Sequence, residues 1–417
     1  MKTIHMLKNP IQNYAWGSHT AIARLMGRAF PTPEPEAEMW MGAHPKASSW
    51  VKTNHGEVSL QELIRRFPRD ILGQETAAAY QNRLPYLFKV LAIEKPLSIQ
   101  AHPNREQAKK GFARENHLGI PMDAAERNYR DDNHKPECIC ALTHFWALNG
   151  FREKATMINL LMESCADSLG AGIRELQENA DSTGLKRFIE ILLNLKKDDV
   201  QKILDRAVPH AEACRDQDPA FDWMIRLHNA YPGDIGVLFP LVLNLVRLNP
   251  GQAMHLPAGQ LHAYLEGVGI ELMANSDNVL RGGLTPKHTD VSELLNILDF
   301  NEQPLEIIEP ENRRAYEKAY PTPASEFELS VIETVEGGPY AADTDRGVEM
   351  LLLTSGEIDI FQGRDPEPMR LNRGMSVIVP AAVASYWIRG EGTVYKASVP
   401  SRGSSVRKTE SSISNVL

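Results

Sequence analysis

Four short segments of this sequence gather the residue types that bind metals, move protons or meet anions. The first is Leu97–Ser98–Ile99–Gln100–Ala101–His102–Pro103. Side chains two residues apart share one face of a strand. Ser98, Gln100 and His102 are therefore expected on one side, with Leu97, Ile99 and Ala101 packed behind them. A hydroxyl, an amide and an imidazole on an apolar strand are costly to bury without partners. A metal or a bound polar ligand would satisfy them; so would water, if that face is half exposed.

The second segment runs from Tyr129 to Glu137, and Pro136 fixes the backbone just before the carboxylate. Glu137 then enters the apolar run Cys138–Ile139–Cys140–Ala141–Leu142, where its charge needs a partner. A surface turn is the plainer alternative, and Cys138 and Cys140 read as small apolar strand residues. In the third segment, Met254–Gly267, a Pro257–Ala258–Gly259 turn places His262 near a bend. A lone histidine is usually structural, so its weight comes from its company. The fourth, Gly269–His288, offers Glu271 on a strand and then Asp277, Arg281 and Lys287. It reads either as ordinary surface polarity or as one wall of an anion-binding pocket that supplies a base and cations.

The elements that must position these groups follow a β–α–β order. Lys89–Ile93 and Leu97–Gln100 are strand candidates separated by a Glu94–Lys95–Pro96 turn, with a helix near Arg105–Arg114. From about 152 to 230 the period becomes helical. Leu161, Cys165 and Leu169 form one stripe, Leu185, Phe188, Ile189 and Leu192 a second, and Val200, Ile203, Leu204 and Ala207 a third. Gly170, Gly184 and Pro209 are expected near the breaks between these helices. Strand patterns return from 235. Near the C-terminus, Leu351–Gly363 reads as a hairpin and Val377–Val399 as a pair turning at Gly390–Gly392. The tail from Ser401 is polar and serine-rich.

The chain has 417 residues, which suggests two or three packed units. Its 42% hydrophobic and 24% charged residues are the balance of a soluble globular protein. A net charge of −9 gives no general attraction to nucleic acid or anionic lipid, so a bound anion needs a local cationic cluster. Four cysteines are too few for a disulfide scaffold and fit no zinc-knuckle spacing. The N-terminus is not of signal-peptide type, and the most apolar segment, Ile235–Val246, is too short to span a bilayer. A cytoplasmic location is expected.

The segments LSIQAHP, DDNHKPE, PAGQLHAYLEG and NSDNVLRGGLTPK resemble, in order, the signature segments of the type I mannose-6-phosphate isomerase family. Glu38–Pro45 and Gln12–Gly17 are similar too. The resemblance spans residues 12 to about 290 by motif and the C-terminal third by pattern. It implies one zinc ion per chain, held by Gln100, His102, Glu137 and His262. It also implies a mainly β fold: a cupin-like β-barrel catalytic domain from residues 1–150 and 235–315, a helical insertion at 151–234, and a C-terminal jelly roll at 316–417. Arg281 resembles the family's catalytic arginine, and Lys89, Ser98 and Lys287 occupy positions like those of its phosphate site.

The expected activity is interconversion of mannose 6-phosphate and fructose 6-phosphate. It moves a proton between C1 and C2 through an enediol, so it needs a base within hydrogen-bond reach. Glu271 is the first candidate, with Lys135 and Asp277 as alternatives. Three neutral ligands and one carboxylate leave a zinc site with roughly one net positive charge, suited to a developing oxyanion. An iron oxygenase site more often shows two histidines and a carboxylate without the amide. The expected partner is the phosphosugar, with no nucleic acid or membrane, and the protein is expected to be a monomer. The competing readings are an isomerase of another sugar and a non-catalytic sugar-sensing cupin.

Overall fold

The computed structural model of the chain describes residues 1–53, 56–179, 181–302 and 304–400, so the serine-rich tail lies outside the described residues. It is strand-rich, with antiparallel ladders and eleven α-helices among the described residues. Two compact units interleave along the sequence. One comprises Asn9–Trp40 and Leu87–Glu309; the other comprises Met1–Lys8, Met41–Tyr86 and the segment from Pro310 onward. No described helix is long and apolar enough to cross a membrane.

In the first unit, the thirteen-residue strand His262–Ala274 is the organising element. It pairs antiparallel with Phe145–Phe151 along its first part and with Glu137–Ala141 along its second. At its start, His262 faces Gln100 of the short strand Ile99–Ala101, and Gln100 is in turn the register partner of Arg281 on Leu280–Gly283. The expected strand at Leu97 thus begins two residues later, although the Leu97 N–H already donates to the Tyr264 carbonyl at 2.8 Å. Tyr86–Ile93 is buried at every position, Lys89 included, and lies between His262–Ala274 and Glu38–Met41 in strand order.

Four helices cover this sheet: Lys154–Glu178, Ser182–Leu193, Lys197–Ala213 and Pro219–Ala230. The three apolar stripes read from sequence are all buried, and they share one core with Ile99, Ala101, Leu148 and Ala263 of the strands. Gly184 falls near a break as expected, in the first turn of the second helix; the other two are a correction, since Gly170 lies inside the first helix and Pro209 inside the third. A glycine or proline costs a helix about 1 or 3 kcal/mol, less than a stripe of buried side chains returns. The second helix starts where the Asp181 carboxylate accepts the Thr183 and Gly184 amides, at 3.0 and 3.2 Å. A Cβ at Gly184 would collide with the carbonyl of Asn179, the residue that caps the end of the first helix, so the glycine serves the break itself.

In the second unit the strand order is Glu311–Arg314, Glu317–Tyr320, Glu328–Thr334, Tyr386–Ser398, Glu349–Gln362, Ser376–Val379, His5–Lys8, Trp50–Thr53 and Gly56–Ser59. The two expected hairpins are also corrected. Glu349–Gln362 and Tyr386–Ser398 are each one long strand, paired to one another along their length. Gly356 faces Gly392, and Gly390 faces Ile358; a Cβ at Gly390 or Gly392 would come within 2.5–2.7 Å of the facing carbonyl oxygens. Glycines opposite one another let two strands bend together, with a register shift at Leu353–Ser355, rather than turn back.

The core of this unit ends in a buried ionic group. Lys396 Nζ sits 2.5 Å from Glu317 Oε1 and 3.4 Å from Glu349 Oε1. Tyr340 and Tyr386 donate to the same two carboxylates, each at 2.9 Å. Burial alone would lower the Lys396 ammonium pKa, but these carboxylates hold it above its usual range. Lys396→Ala removes the ammonium shared by the two carboxylates but leaves Arg314 3.2 Å from Glu317 and Arg346 3.7 Å from Glu349. The expected loss, measured by urea denaturation, is therefore about 2–3 kcal/mol of unfolding free energy, below the roughly 3–5 kcal/mol of a wholly uncompensated buried charge. A loss below about 1 kcal/mol, the size of an exposed pair, would show that the group is not closed as described.

Candidate metal centre

The strand pairings of the first unit carry three ligating side chains to one point. His102, Glu137 and His262 are fully buried, and their ligating atoms all lie within 4.8 Å of one another. His102 Nε2 is 3.3 Å from Glu137 Oε1, and His262 Nε2 is 3.6 Å from Glu137 Oε2. Donors held tetrahedrally at ~2.1 Å from a zinc ion stand about 3.4 Å apart. The observed spacing is that of ligands around such an ion.

The backbone decides which ring nitrogens are available. His102 Nδ1 is 2.7 Å from the Asn278 carbonyl, and His262 Nδ1 is 2.9 Å from the Gln260 carbonyl. A carbonyl oxygen only accepts, so both Nδ1 atoms carry the proton and both Nε2 atoms present a lone pair. Both Nε2 atoms are buried without a hydrogen-bond partner. Two orphaned lone pairs beside a carboxylate are what a divalent cation would satisfy.

Charge agrees with this. Burial, then Lys135, lowers the His102 pKa; burial, then His102, takes that of His262 down to about 4. Both rings are therefore neutral. Burial raises the Glu137 pKa, but the Lys135 ammonium at 2.9 Å opposes it, and the carboxyl is held well below its usual range. Glu137 is thus ionised. Gln100, half-buried, is flanked in register by His262 and Arg281.

Beside this centre lies a second buried charge group. Lys89 Nζ is 2.9 Å from Glu271 Oε2 and 3.5 Å from Glu38 Oε2, and 5.3 Å from the Trp40 ring centroid. Burial pulls the Lys89 ammonium pKa down, yet the two carboxylates hold it above its usual range. Burial raises the Glu271 carboxyl pKa, with Lys89 pulling against the shift. Lys89, expected on the phosphate side, is thus committed to carboxylates. Glu271 and His262 are an odd number of residues apart on one strand, and regular alternation would set them on opposite faces. Gly267, with a φ of +129°, and a register shift at Trp146–Ala147 break that alternation.

Of the remaining expected residues, Ser98 is half-buried, Arg281 is partly buried and Lys287 is exposed. Asp277 is anchored through its backbone N–H, which donates to Asp131 Oδ2 at 2.7 Å. Burial, then Arg130, lowers the Arg281 pKa; burial, then Arg281 and Arg130, lowers that of Lys287. The three cations feel one another, and Arg130 had not been singled out from sequence although it stands in the Tyr129–Glu137 segment. Tyr264 had also been passed over. Its hydroxyl donates to Glu137 Oε2 at 3.4 Å, and burial beside Glu137 and Glu271 keeps it protonated. Its place two residues after His262, on the same strand face, was the available signal. Cys138, fully buried on the same strand as Glu137, has its thiol pKa pushed up by burial and carries no thiolate.

Antiparallel strands that focus a buried His–Glu–His set, with an acid–base group and a cationic group around it, define a metal-dependent enzyme site. Residues 4–154 match the family described as phosphomannose isomerase type I, catalytic domain. The mannose-6-phosphate isomerase of Escherichia coli (strain K12) is 39% identical over 390 residues, covering 93% of this chain and 97% of that protein. Among solved structures, a mutant of phosphomannose isomerase from Salmonella typhimurium superposes with a TM-score of 0.88 at 38% identity, covering 95% of this chain and 99% of that one. A zinc-bound mannose 6-phosphate isomerase gives 0.87 at 38% identity, covering 95% and 100%. The chain belongs to the type I phosphomannose isomerase family.

Proposed function

We propose that this protein interconverts mannose 6-phosphate and fructose 6-phosphate at the centre formed by His102, Glu137 and His262. The observation that carries the reading is the pair of orphaned, Nδ1-protonated imidazoles facing one ionised carboxylate. Gln100, His102, Glu137 and His262 are the proposed zinc ligands. Zinc bound there is a redox-inert Lewis acid that stabilises negative charge developing on substrate oxygens.

The chain's own groups do the rest. Glu271 is the proposed base for the proton at C1 and C2. Its burial raises it from the ordinary carboxyl range toward the working pH, the condition for an efficient proton acceptor. Lys89 holds that carboxylate in place. Lys135, against Glu137, and Asp277, anchored on Asp131, are the alternatives for the same step. Arg281 offers a fixed cationic fork to an enediolate or phosphate oxygen. With Lys89 committed to carboxylates, the phosphate falls to Lys287, Arg130 and Ser98.

In fold terms, a cupin-like barrel within Asn9–Trp40 and Leu87–Glu309 is proposed to hold the catalytic groups, with 151–234 as its helical insertion. The second jelly roll, read as 316–417, is extended in this proposal by Met1–Lys8 and Met41–Tyr86, because those segments cluster with it as one compact unit. We take the protein to be a cytoplasmic monomer.

The test is an isomerase assay with mannose 6-phosphate before chelation, after it, and after return of zinc. Activity is expected to vanish and return. Activity indifferent to chelation would remove the metal from the reaction, and activity on unphosphorylated mannose alone would change the substrate. Lys287→Ala is expected to raise KM about tenfold, roughly the 1.4 kcal/mol of one charge-assisted contact, and to change kcat less, as loss of uniform binding does. An unchanged KM would move the phosphate elsewhere.

A further inference from the structure

Asn278 is completely buried, in the segment between the strands His262–Ala274 and Leu280–Gly283. Its carbonyl oxygen accepts the His102 Nδ1–H at 2.7 Å. Its side chain holds a different segment. Oδ1 accepts the backbone N–H groups of Arg130 at 2.7 Å and Asp131 at 3.2 Å. Nδ2 donates to the carbonyls of Asp131 and Asn133, both at 2.9 Å, and to Asp131 Oδ1 at 3.2 Å. Asp131 closes the knot from the other side. Its carboxylate accepts the Ser276 hydroxyl at 2.8 Å and the backbone N–H groups of Asn133 at 3.0 Å and Asp277 at 2.7 Å.

One side chain and one carbonyl of a single residue therefore hold two things at once. These are the imidazole of His102 and the loop that runs through Pro136 into Glu137. Neither ring nor carboxylate is reached by Asn278 through a metal or a substrate. We propose that Asn278, locked by Asp131, is a positioning residue that sets the spacing of His102 against Glu137 and so tunes metal affinity. This rests on the metalloenzyme reading above. Groups that orient metal ligands typically change affinity or activity about 10–100-fold when removed.

Packing alone would be a competing account, and Asn278→Asp separates the two because it keeps the shape. It replaces the Nδ2 donor with an oxygen facing two carbonyls and a carboxylate oxygen, which breaks the knot. Metal affinity is measured on the metal-free protein by zinc competition with a chromophoric chelator, alongside the urea midpoint of the same metal-free protein. The expected result is zinc binding about 10–100-fold weaker than wild type. Ser276→Ala leaves the Asn278 side chain in place but removes the hydroxyl that donates to Asp131 Oδ1 at 2.8 Å and to the Asn133 carbonyl at 3.2 Å, and that accepts the Asn278 backbone N–H at 3.2 Å. It is expected to weaken zinc at least about fivefold, the worth of one hydrogen bond, with a urea midpoint nearer to wild type than that of Asn278→Asp. It carries the test if Asn278→Asp does not fold. Wild-type zinc affinity in folded Asn278→Asp, or in Ser276→Ala where the first variant is unfolded, would overturn the proposal. Wild-type protein that itself fails to hold zinc would instead overturn the metalloenzyme reading on which it rests.

Discussion

His262→Ala is expected to lose its zinc and its activity together. The ring is completely buried, its Nδ1–H is fixed on the Gln260 carbonyl, and its Nε2 lone pair faces Glu137 Oε2 at 3.6 Å. Because burial keeps the imidazole neutral, with its pKa down to about 4, alanine removes a ligand without stranding a charge. The cost to the fold is then that of a core cavity, about 2–5 kcal/mol as for other large-to-small changes. The cost to catalysis is larger in kind. A Lewis acid contributes several kcal/mol to a developing oxyanion, and ~4 kcal/mol is about a 1000-fold loss in kcat. Metal analysis of the purified variant should find zinc well below one per chain, and the isomerase assay should fall by that factor or more. Stoichiometric zinc in a folded variant would take His262 out of the coordination set.

How much of this was legible beforehand varies from element to element. Side chains such as His102, Glu137 and His262 are costly to bury in apolar strands, and that cost is visible in any sequence. Their meeting depends on pairings distant along the chain, such as Gln100 with His262 and Cys138 with Leu272, which periodicity does not reveal. The helical stripes were readable because one face of each helix is apolar throughout. The breaks expected near Gly170 and Pro209 were misplaced, because glycine and proline act as stops only where tertiary packing does not outweigh them. Gly356, Gly390 and Gly392 were misread for a related reason. Residues that permit a turn also permit two facing strands to bend in concert, and only the partner strand distinguishes the outcomes. The commitment of Lys89 to Glu271 and Glu38 was hidden, since all three stand on different strands and no local pattern links them. Asn278 was hidden because its main contacts are backbone groups, which carry no residue-type signal.

The buried group around Lys89 gives the other large expected effect, and its size depends on pH. Lys89→Met keeps an unbranched stem near the Trp40 ring but leaves Glu271 and Glu38 without their ammonium. Breaking a buried pair in this way costs about 3–5 kcal/mol. The Glu271 carboxyl is already raised above 4.5, by burial first, and Lys89 is the group that restrains it. Without Lys89 its folded-state pKa rises further. A carboxyl with a raised folded-state pKa keeps a proton that the unfolded chain has released, so stability falls as pH rises through that window. Below 4.5 both states are protonated and this part of the penalty disappears. The Lys89 ammonium, raised in the folded state, remains charged across the whole range, so it adds no slope of its own near neutrality. Urea midpoints of the variant and wild type should therefore diverge progressively as pH rises above 4.5, with the variant falling behind. If ionised Glu271 is the base, the acid limb of kcat/KM in any residual activity shifts to higher pH in the same variant. A stability loss equal at every pH would show that Lys89 does not restrain this carboxyl. The expected pH-dependent divergence in stability with an unmoved acid limb would pass the proton transfer from Glu271 to Lys135 or Asp277.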